Sequence, residues 1–245
     1  MVALGFLAAL WITGRLAKER GLDPDKFTNL GVYGALAGLL GAKLLMFALE
    51  FRYYASHPGE IFTFATLQAG GVFFGGLIAA LGFAAYYLRR QGLPLLSTLD
   101  LFAPGLAIGQ GLGRLGCFAA GCCWGARCDR PWAVTFTNPD AAGITGVPLM
   151  TPLHPTQLYE AALCFVIFAV TYRMTRRPGP PGRIIGVYLL LIAAARFAVE
   201  FFRHQNQAPF LPGPLSNAQW IAIGLAVAAV AALRFGRTRS AVPAR

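Results

Sequence analysis

The chain has 245 residues, 56% of them apolar and only 13% charged, with a mean hydropathy of +0.57. An ordinary soluble domain carries roughly 25% charged residues, so this composition excludes one and indicates an integral membrane protein. The formal net charge of +11 would suggest nucleic acid in a soluble chain. Here the basic residues fall between apolar runs, with no basic helix of interleaved aromatics and no zinc-finger spacing, so nucleic-acid binding is not expected.

The first apolar run, Met1–Thr13, lacks the basic flank and small-residue cleavage site of a signal peptide. It is read as a first membrane helix whose N-terminal part is missing. Runs near the ~20 residues that a bilayer crossing needs follow at Asn29–Phe51, Thr66–Leu88, Leu99–Trp124, Thr156–Tyr172, Ile184–Phe202 and Ala218–Leu233. The expected fold is all-α: a polytopic helical bundle of about seven transmembrane helices, one domain over residues 1–245. One set of connections holds Arg15, Lys18, Arg20, Lys26, Arg89, Arg90, Arg173, Arg176, Arg177, Arg183, Arg234, Arg237, Arg239 and Arg245. The other holds Arg52, Arg127, Arg130 and Arg203. The basic side is cytoplasmic by the positive-inside rule, which puts the N-terminus out and the C-terminus in. The long connection Gly125–Leu153 then lies outside, as a cover over an outward-facing site, and its "PWAVTF" (Pro131–Phe136) alternates like a short strand.

With a rise of about 1.5 Å per residue, Arg114 lies roughly 22 Å along a helix begun at Leu99, in the outer half of the bilayer. Lys43 reaches a similar depth. Arg196, Glu200 and Arg203 climb toward the outer surface on the sixth run, and "HPTQLYE" places His154, Gln157, Tyr159 and Glu160 in the outermost turns of the fifth. Spacings of three and four put Gln110, Arg114 and Cys117 on one face, and Arg196, Glu200 and Arg203 on another. Gly105, Gly109 and Gly113 repeat every four residues, a small-residue ridge that would bring Arg114 within reach of a neighbouring helix.

Single features have plainer readings. Arg196–Glu200 is also a neutralised intramembrane pair, Lys43 can snorkel, His154 can cap an interface and Asp100 can cap a helix. Two arginines at outer-leaflet depth, outnumbering their carboxylates, call for an anion, and a phospholipid phosphate suits bidentate arginine.

Cys117, Cys122, Cys123 and Cys128 follow C-x4-C-C-x4-C, with Cys164 apart. This is not a zinc-ribbon spacing, and on a continuous helix five residues turn side chains away from one another, so no metal site is expected. Packing filler is one reading. A disulfide from Cys128 to Cys122 or Cys123 is the other, on a side facing an oxidising compartment.

In "AGGVFFGGLIAA" (Ala69–Ala80), "LDLFAPGLAIGQGLGRLGCFAAGCCWG" (Leu99–Gly125), "LHPTQLYE" (Leu153–Glu160) and "ARFAVEFFR" (Ala195–Arg203), the chain resembles the prolipoprotein diacylglyceryl transferase family. The combination of G-R-L-G, H-P-x-Q-L-Y-E and R-F-x-x-E-F-F-R is specific, and the pieces keep the family's order. The resemblance implies a bacterial inner-membrane enzyme of lipoprotein biosynthesis, with its site toward the outer leaflet. It would transfer the diacylglyceryl group of phosphatidylglycerol to the lipobox cysteine of a preprolipoprotein signal peptide, releasing glycerol 1-phosphate, with no metal or other cofactor. Carried over, the family's essential arginine falls on Arg114, and its later arginine and glutamate on Arg196 and Glu200. Gln110, Gln157, Tyr159, Arg203, Gly75 and Gly76 are assigned to lipid and substrate binding.

The chain departs from the family at Cys117, where asparagine is frequent, at Cys122, where glutamate is, and at Phe74, where other members carry histidine or tyrosine. Phe74 cannot take a proton, so His154 is expected to assist thiol deprotonation, with Glu160 orienting it. Three further readings stand: a phospholipid-binding or transport protein using the same arginines, a cysteine-rich paralogue with another acceptor, and a thiol oxidoreductase, for which C-x-x-C is missing.

Overall fold

In the computed structural model, residues 1–63, 66, 71–203 and 215–240 are described. Nine helices occur among them: α1 (Val2–Glu19), α2 (Pro24–Leu49), α3 (Phe51–Ser56), α4 (Phe73–Arg90), α5 (Leu95–Ala120), α6 (Pro139–Thr145), α7 (Thr156–Met174), α8 (Arg183–Glu200) and α9 (Asn217–Ser240). The all-α expectation holds. Three of these helices are long and apolar enough to cross a membrane by length and composition: α2, α5 and the first 18 residues of α9. Seven spans were expected. The other four long helices, α1, α4, α7 and α8, are 18 or 19 residues long and carry ionised side chains. The start of the expected Thr66–Leu88 run lies in part outside the described residues. Leu39, Leu40, Leu44, Ile78 and Val227 are exposed, a surface suited to lipid rather than water.

The chain, read as one domain, groups into two compact units: Ala17–Leu95, and Met1–Leu16 together with the chain from Leu96 onward. In the first, Asp23 caps α2 by accepting from the Asp25 N–H, and Pro24 takes the first helical position, where its missing donor costs nothing. Helix α4 packs on α2 through glycine: a Cβ on Gly75 would stand 2.4 Å from the Gly41 carbonyl oxygen, and one on Gly76 2.9 Å from that of Gly38. Lys43 of α2 donates to the Thr66 carbonyl.

In the second unit the buried core gathers Ala103 and Ala107 of α5, Ile167 of α7, and Ile184, Ile185 and Tyr188 of α8. Asp100 sets the register of α5 against α8. Its Oδ2 accepts from the Gly182 N–H and its Oδ1 from the Ile185 N–H, both at 2.8 Å. The expected helix cap is therefore real, but the helix capped is α8, reached from inside α5. Helix α9 opens with a reciprocal capping box, since Ser216 N–H donates to Gln219 Oε1 and Gln219 N–H to Ser216 Oγ. It then packs on Gly186, where a Cβ would meet Leu233 at 2.6 Å.

The glycine ridge of α5 acts differently from its expected role. A Cβ on Gly105 would meet Thr13 Oγ1 at 2.6 Å, one on Gly109 the Gly5 carbonyl oxygen at 3.2 Å, and Gly113 faces open space. The ridge docks α1, on another face of α5 from Arg114. What admits α7 to the Arg114 face is Gly111, three residues away, where Phe165 stands 2.7 Å from an added Cβ.

The "PWAVTF" segment supplies β1 (Val134–Thr135), which pairs antiparallel with β2 (Pro152–Leu153). Between them α6 is capped by Asn138 and closed by left-handed Gly146.

Candidate functional site

One end of the second unit brings five ionised side chains together. Arg114 comes from the last two turns of α5, Glu160 from the first turns of α7, Arg196 and Glu200 from the C-terminal turns of α8, and Arg203 from the chain just beyond. Glu160 is the hub. Its Oε2 lies 2.6 Å from Arg114 Nε, and its Oε1 accepts from Arg196 Nη1 at 2.5 Å and stands 3.7 Å from Arg203 Nη1. Glu200 Oε2 lies 3.3 Å from Arg196 Nη2 and 3.8 Å from Arg203 Nε. Among the described residues that oxygen has no hydrogen-bond partner, so its contacts with the two guanidiniums are electrostatic.

The burial is uneven in a useful way. The carboxylates are 9% and 8% exposed, whereas Arg114, Arg196 and Arg203 keep 27%, 25% and 20% of their side chains accessible. Three guanidiniums thus surround two buried carboxylates and keep an open side, with one positive charge uncompensated within the cluster. Burying such a network is costly unless each charge is paired, so the open, cationic side is the feature that asks for a ligand.

Backbone folding behind the cluster depends on Gly125. Gly125 N–H donates to the His154 carbonyl, His154 N–H to the Ala126 carbonyl, and Ala126 N–H to the Phe202 carbonyl. An added Cβ would lie 2.5 Å from the Phe202 carbonyl oxygen and 2.6 Å from His154 Cβ. Three segments meet there: the exit of α5, the entry to α7 and the end of α8. Only a glycine lets them close.

His154 stands in a different setting from the one expected. Glu160 gathers arginines and does not orient it. The His154 Nδ1 is 3.1 Å from the Tyr159 hydroxyl, and its ring packs against Tyr159 and Phe202. Together with Trp132 of the long loop, and Leu158, Leu163 and Val199, these rings line an apolar cavity of about 550 Å³. Neighbouring residues therefore face different ways: Tyr159 to the cavity and Glu160 to the arginines.

The remaining predicted residues are structural in their contacts. Gln157 is buried, and its Nε2 donates to the Cys122 carbonyl at 2.6 Å. Gln110 Oε1 accepts from the Tyr188 hydroxyl at 2.8 Å. Gly75 and Gly76 lie in the other unit, in the α2–α4 seam.

Tyr188 and Gly125 were not singled out from the sequence. A tyrosine in mid-run, needing a partner for its hydroxyl, was the signal available for the first. The second gave none.

The cysteines call for a correction. Helix α5 ends at Ala120, and Gly121 adopts φ +70°. The Cys122 N–H then bonds back to the Cys117 carbonyl, so the helical geometry that separated the thiols does not apply. The Sγ atoms of Cys117, Cys122 and Cys123 all lie within 4.8 Å of one another. All five cysteines are free thiols, and the disulfide from Cys128 is not formed.

A family model described as prolipoprotein diacylglyceryl transferase matches residues 1–235. Among curated relatives, a phosphatidylglycerol–prolipoprotein diacylglyceryl transferase of Clostridium tetani is 33% identical, covering 91% of this chain and 86% of its own. One from Geobacter sulfurreducens is 36% identical over 96% of this chain and 90% of its own. One from Bordetella avium is 35% identical over 91% and 83%.

Proposed function

Because the chain belongs to the prolipoprotein diacylglyceryl transferase family, we propose that it transfers the diacylglyceryl group of phosphatidylglycerol to the lipobox cysteine of a preprolipoprotein signal peptide. The observation that carries this reading is the trio Arg114, Arg196 and Arg203, held by Glu160 and Glu200 with one positive charge to spare.

The chemistry follows from the bonds exchanged. The cysteine sulfur forms a bond to the terminal glyceryl carbon, and the bond from that carbon to the phosphate oxygen breaks. The oxygen keeps the electron pair, so a phosphodiester monoanion leaves as glycerol 1-phosphate with added negative charge. Preorganised guanidiniums at the point where charge grows lower that barrier, most strongly where water is thin. Arg114 is the phosphate clamp, with Arg196 and Arg203 beside it. Glu160 and Glu200 position these three. His154 accepts the thiol proton, steered by the Tyr159 hydroxyl, and the apolar cavity around it receives the apolar part of a substrate.

Seven crossings, the N-terminus outside, and a site at the outer leaflet of the bacterial inner membrane fit the distribution of Lys and Arg. The polar cluster sits at the end of α5 and α8 away from the Asp100–Gly182 cap, which supports placing it on the side opposite the basic connections. Membrane lipids surround this site, and nucleic acid has no role in it.

The test is transfer of labelled diacylglyceryl from phosphatidylglycerol to a lipobox peptide. Arg114→Ala should abolish it while the protein still inserts. Arg114→Lys should restore little, because a point charge does not reproduce a two-pronged grip. Wild-type turnover by Arg114→Ala would refute the assignment.

A further inference from the structure

We propose that Cys117, Cys122 and Cys123 form a binding site for a soft monovalent metal ion of the Cu(I) type. The proposal is independent of the transferase reading.

Three observations carry it. The first is convergence: all three Sγ atoms lie within 4.8 Å of one another. At a metal–sulfur bond of about 2.3 Å, thiolates on one ion stand roughly 3.8–4.0 Å apart. Closing onto an ion therefore needs side-chain movements of less than about 1 Å, within ordinary rotamer relaxation.

The second is that the backbone carrying the thiols is held from outside. Thr156 Oγ1 donates to the Cys123 carbonyl at 2.9 Å, and Gln157 Nε2 to the Cys122 carbonyl at 2.6 Å. Both donors are fully buried at the entry to α7. Gly121 N–H and Cys122 N–H close the end of α5 on the Phe118 and Cys117 carbonyls. Cys123 itself is kept at φ +60°, a left-handed conformation that costs a β-carbon residue roughly 1–2 kcal/mol. Strain of this kind persists only where surrounding contacts over-determine it. Here they aim two adjacent thiols at a third that precedes the turn.

The third is the ligand chemistry. Three sulfur donors without oxygen or nitrogen select soft ions. Structural zinc takes four protein ligands, whereas the group that converges here among the described residues contains three. Cu(I) is stable with three thiolates. Binding replaces thiol protons, so up to three protons leave as three metal–sulfur bonds form, and no oxidation state changes. The anionic cluster so formed has a guanidinium close by: Arg114 shares the α5 face with Cys117, three residues apart.

The experiment uses the full-length protein in detergent micelles, reduced and kept anaerobic. Cu(I) is delivered from a chromophoric Cu(I) chelator, with Zn(II) in a parallel titration. Wild type should withdraw one equivalent of Cu(I) per chain, and C117S/C122S/C123S none. C128S/C164S should bind as wild type does. Removing even an outer partner of a metal ligand typically costs about 10–100-fold in affinity, so C122S alone should weaken binding at least tenfold. Helicity by circular dichroism, with elution as a single species, shows that each variant is folded. Equal uptake by wild type and the triple variant overturns the proposal. So does one equivalent of Zn(II) with no Cu(I), or a Cys117–Cys122 disulfide that forms in place of metal uptake.

Discussion

Glu160→Gln isolates what the buried carboxylate does, because the amide keeps the shape and one acceptor oxygen but removes the charge. Glu160 touches Arg114, Arg196 and Arg203 at 2.6, 2.5 and 3.7 Å. Hydrogen bonds to charged groups contribute about 1.5–3 kcal/mol each. Glutamine retains one of the two short contacts, so the expected loss is about one such bond, about 2 kcal/mol. Part of it is recovered as the guanidiniums, each about a quarter exposed, turn toward solvent or lipid. Because positioned charge acts on the transition state, the loss should appear in turnover, at about tenfold per 1.4 kcal/mol. Headgroup affinity should hold, since the cluster's excess positive charge rises when Glu160 is neutralised. The assay is transfer of labelled diacylglyceryl at saturating and limiting phosphatidylglycerol, beside thermal unfolding in detergent. A fall in kcat of at least tenfold, with KM within about threefold and a lowered Tm, is expected. A variant with wild-type kcat and Tm would refute the view that Glu160 positions the arginines.

His154→Gln should depress transfer at neutral pH and recover as the pH approaches the free-thiol range near 8.5, where the acceptor ionises unaided. A pH–rate profile identical to wild type would remove His154 as the base. Gly125→Ala should sharply reduce the yield of folded protein and, in what folds, transfer, because its Cβ meets the Phe202 carbonyl at 2.5 Å; wild-type expression and turnover would contradict this. Asp100→Asn should lower the unfolding free energy by about 1–2 kcal/mol, through loss of a charged cap on α8, with transfer per folded molecule unchanged. Differential unfolding in detergent measures this, and an unaltered Tm would count against the cap.

What the sequence made legible was what helical periodicity and depth control. Arg114, Arg196, Glu200 and Arg203 fall at one level because each is a countable number of residues from a helix end, and the structure brings them together. The strand in "PWAVTF" was readable from its alternation. What periodicity cannot reach is which face meets which helix. The Gly105–Gly109 ridge signalled a close approach but not that α1 would take it, and the decisive gap for α7 was the single Gly111. Glu160 was placed at the correct level and given the wrong neighbour: Tyr159 and Glu160 are adjacent in a helix, so one faces the His154 cavity and the other the arginines. The cysteines were misread at one residue. A glycine able to take positive φ ends α5 at Ala120, and from there the helical rule that separates positions 117 and 122 no longer holds. Gly121 therefore does two things at once: it stops α5 six residues beyond Arg114, and it folds the chain back so that Gln157 and Thr156 can hold the Cys122 and Cys123 carbonyls. Those hydrogen bonds fix the entry of α7 against the exit of α5, and that fixed junction is what lets Glu160, three to four residues further along α7, reach Arg114.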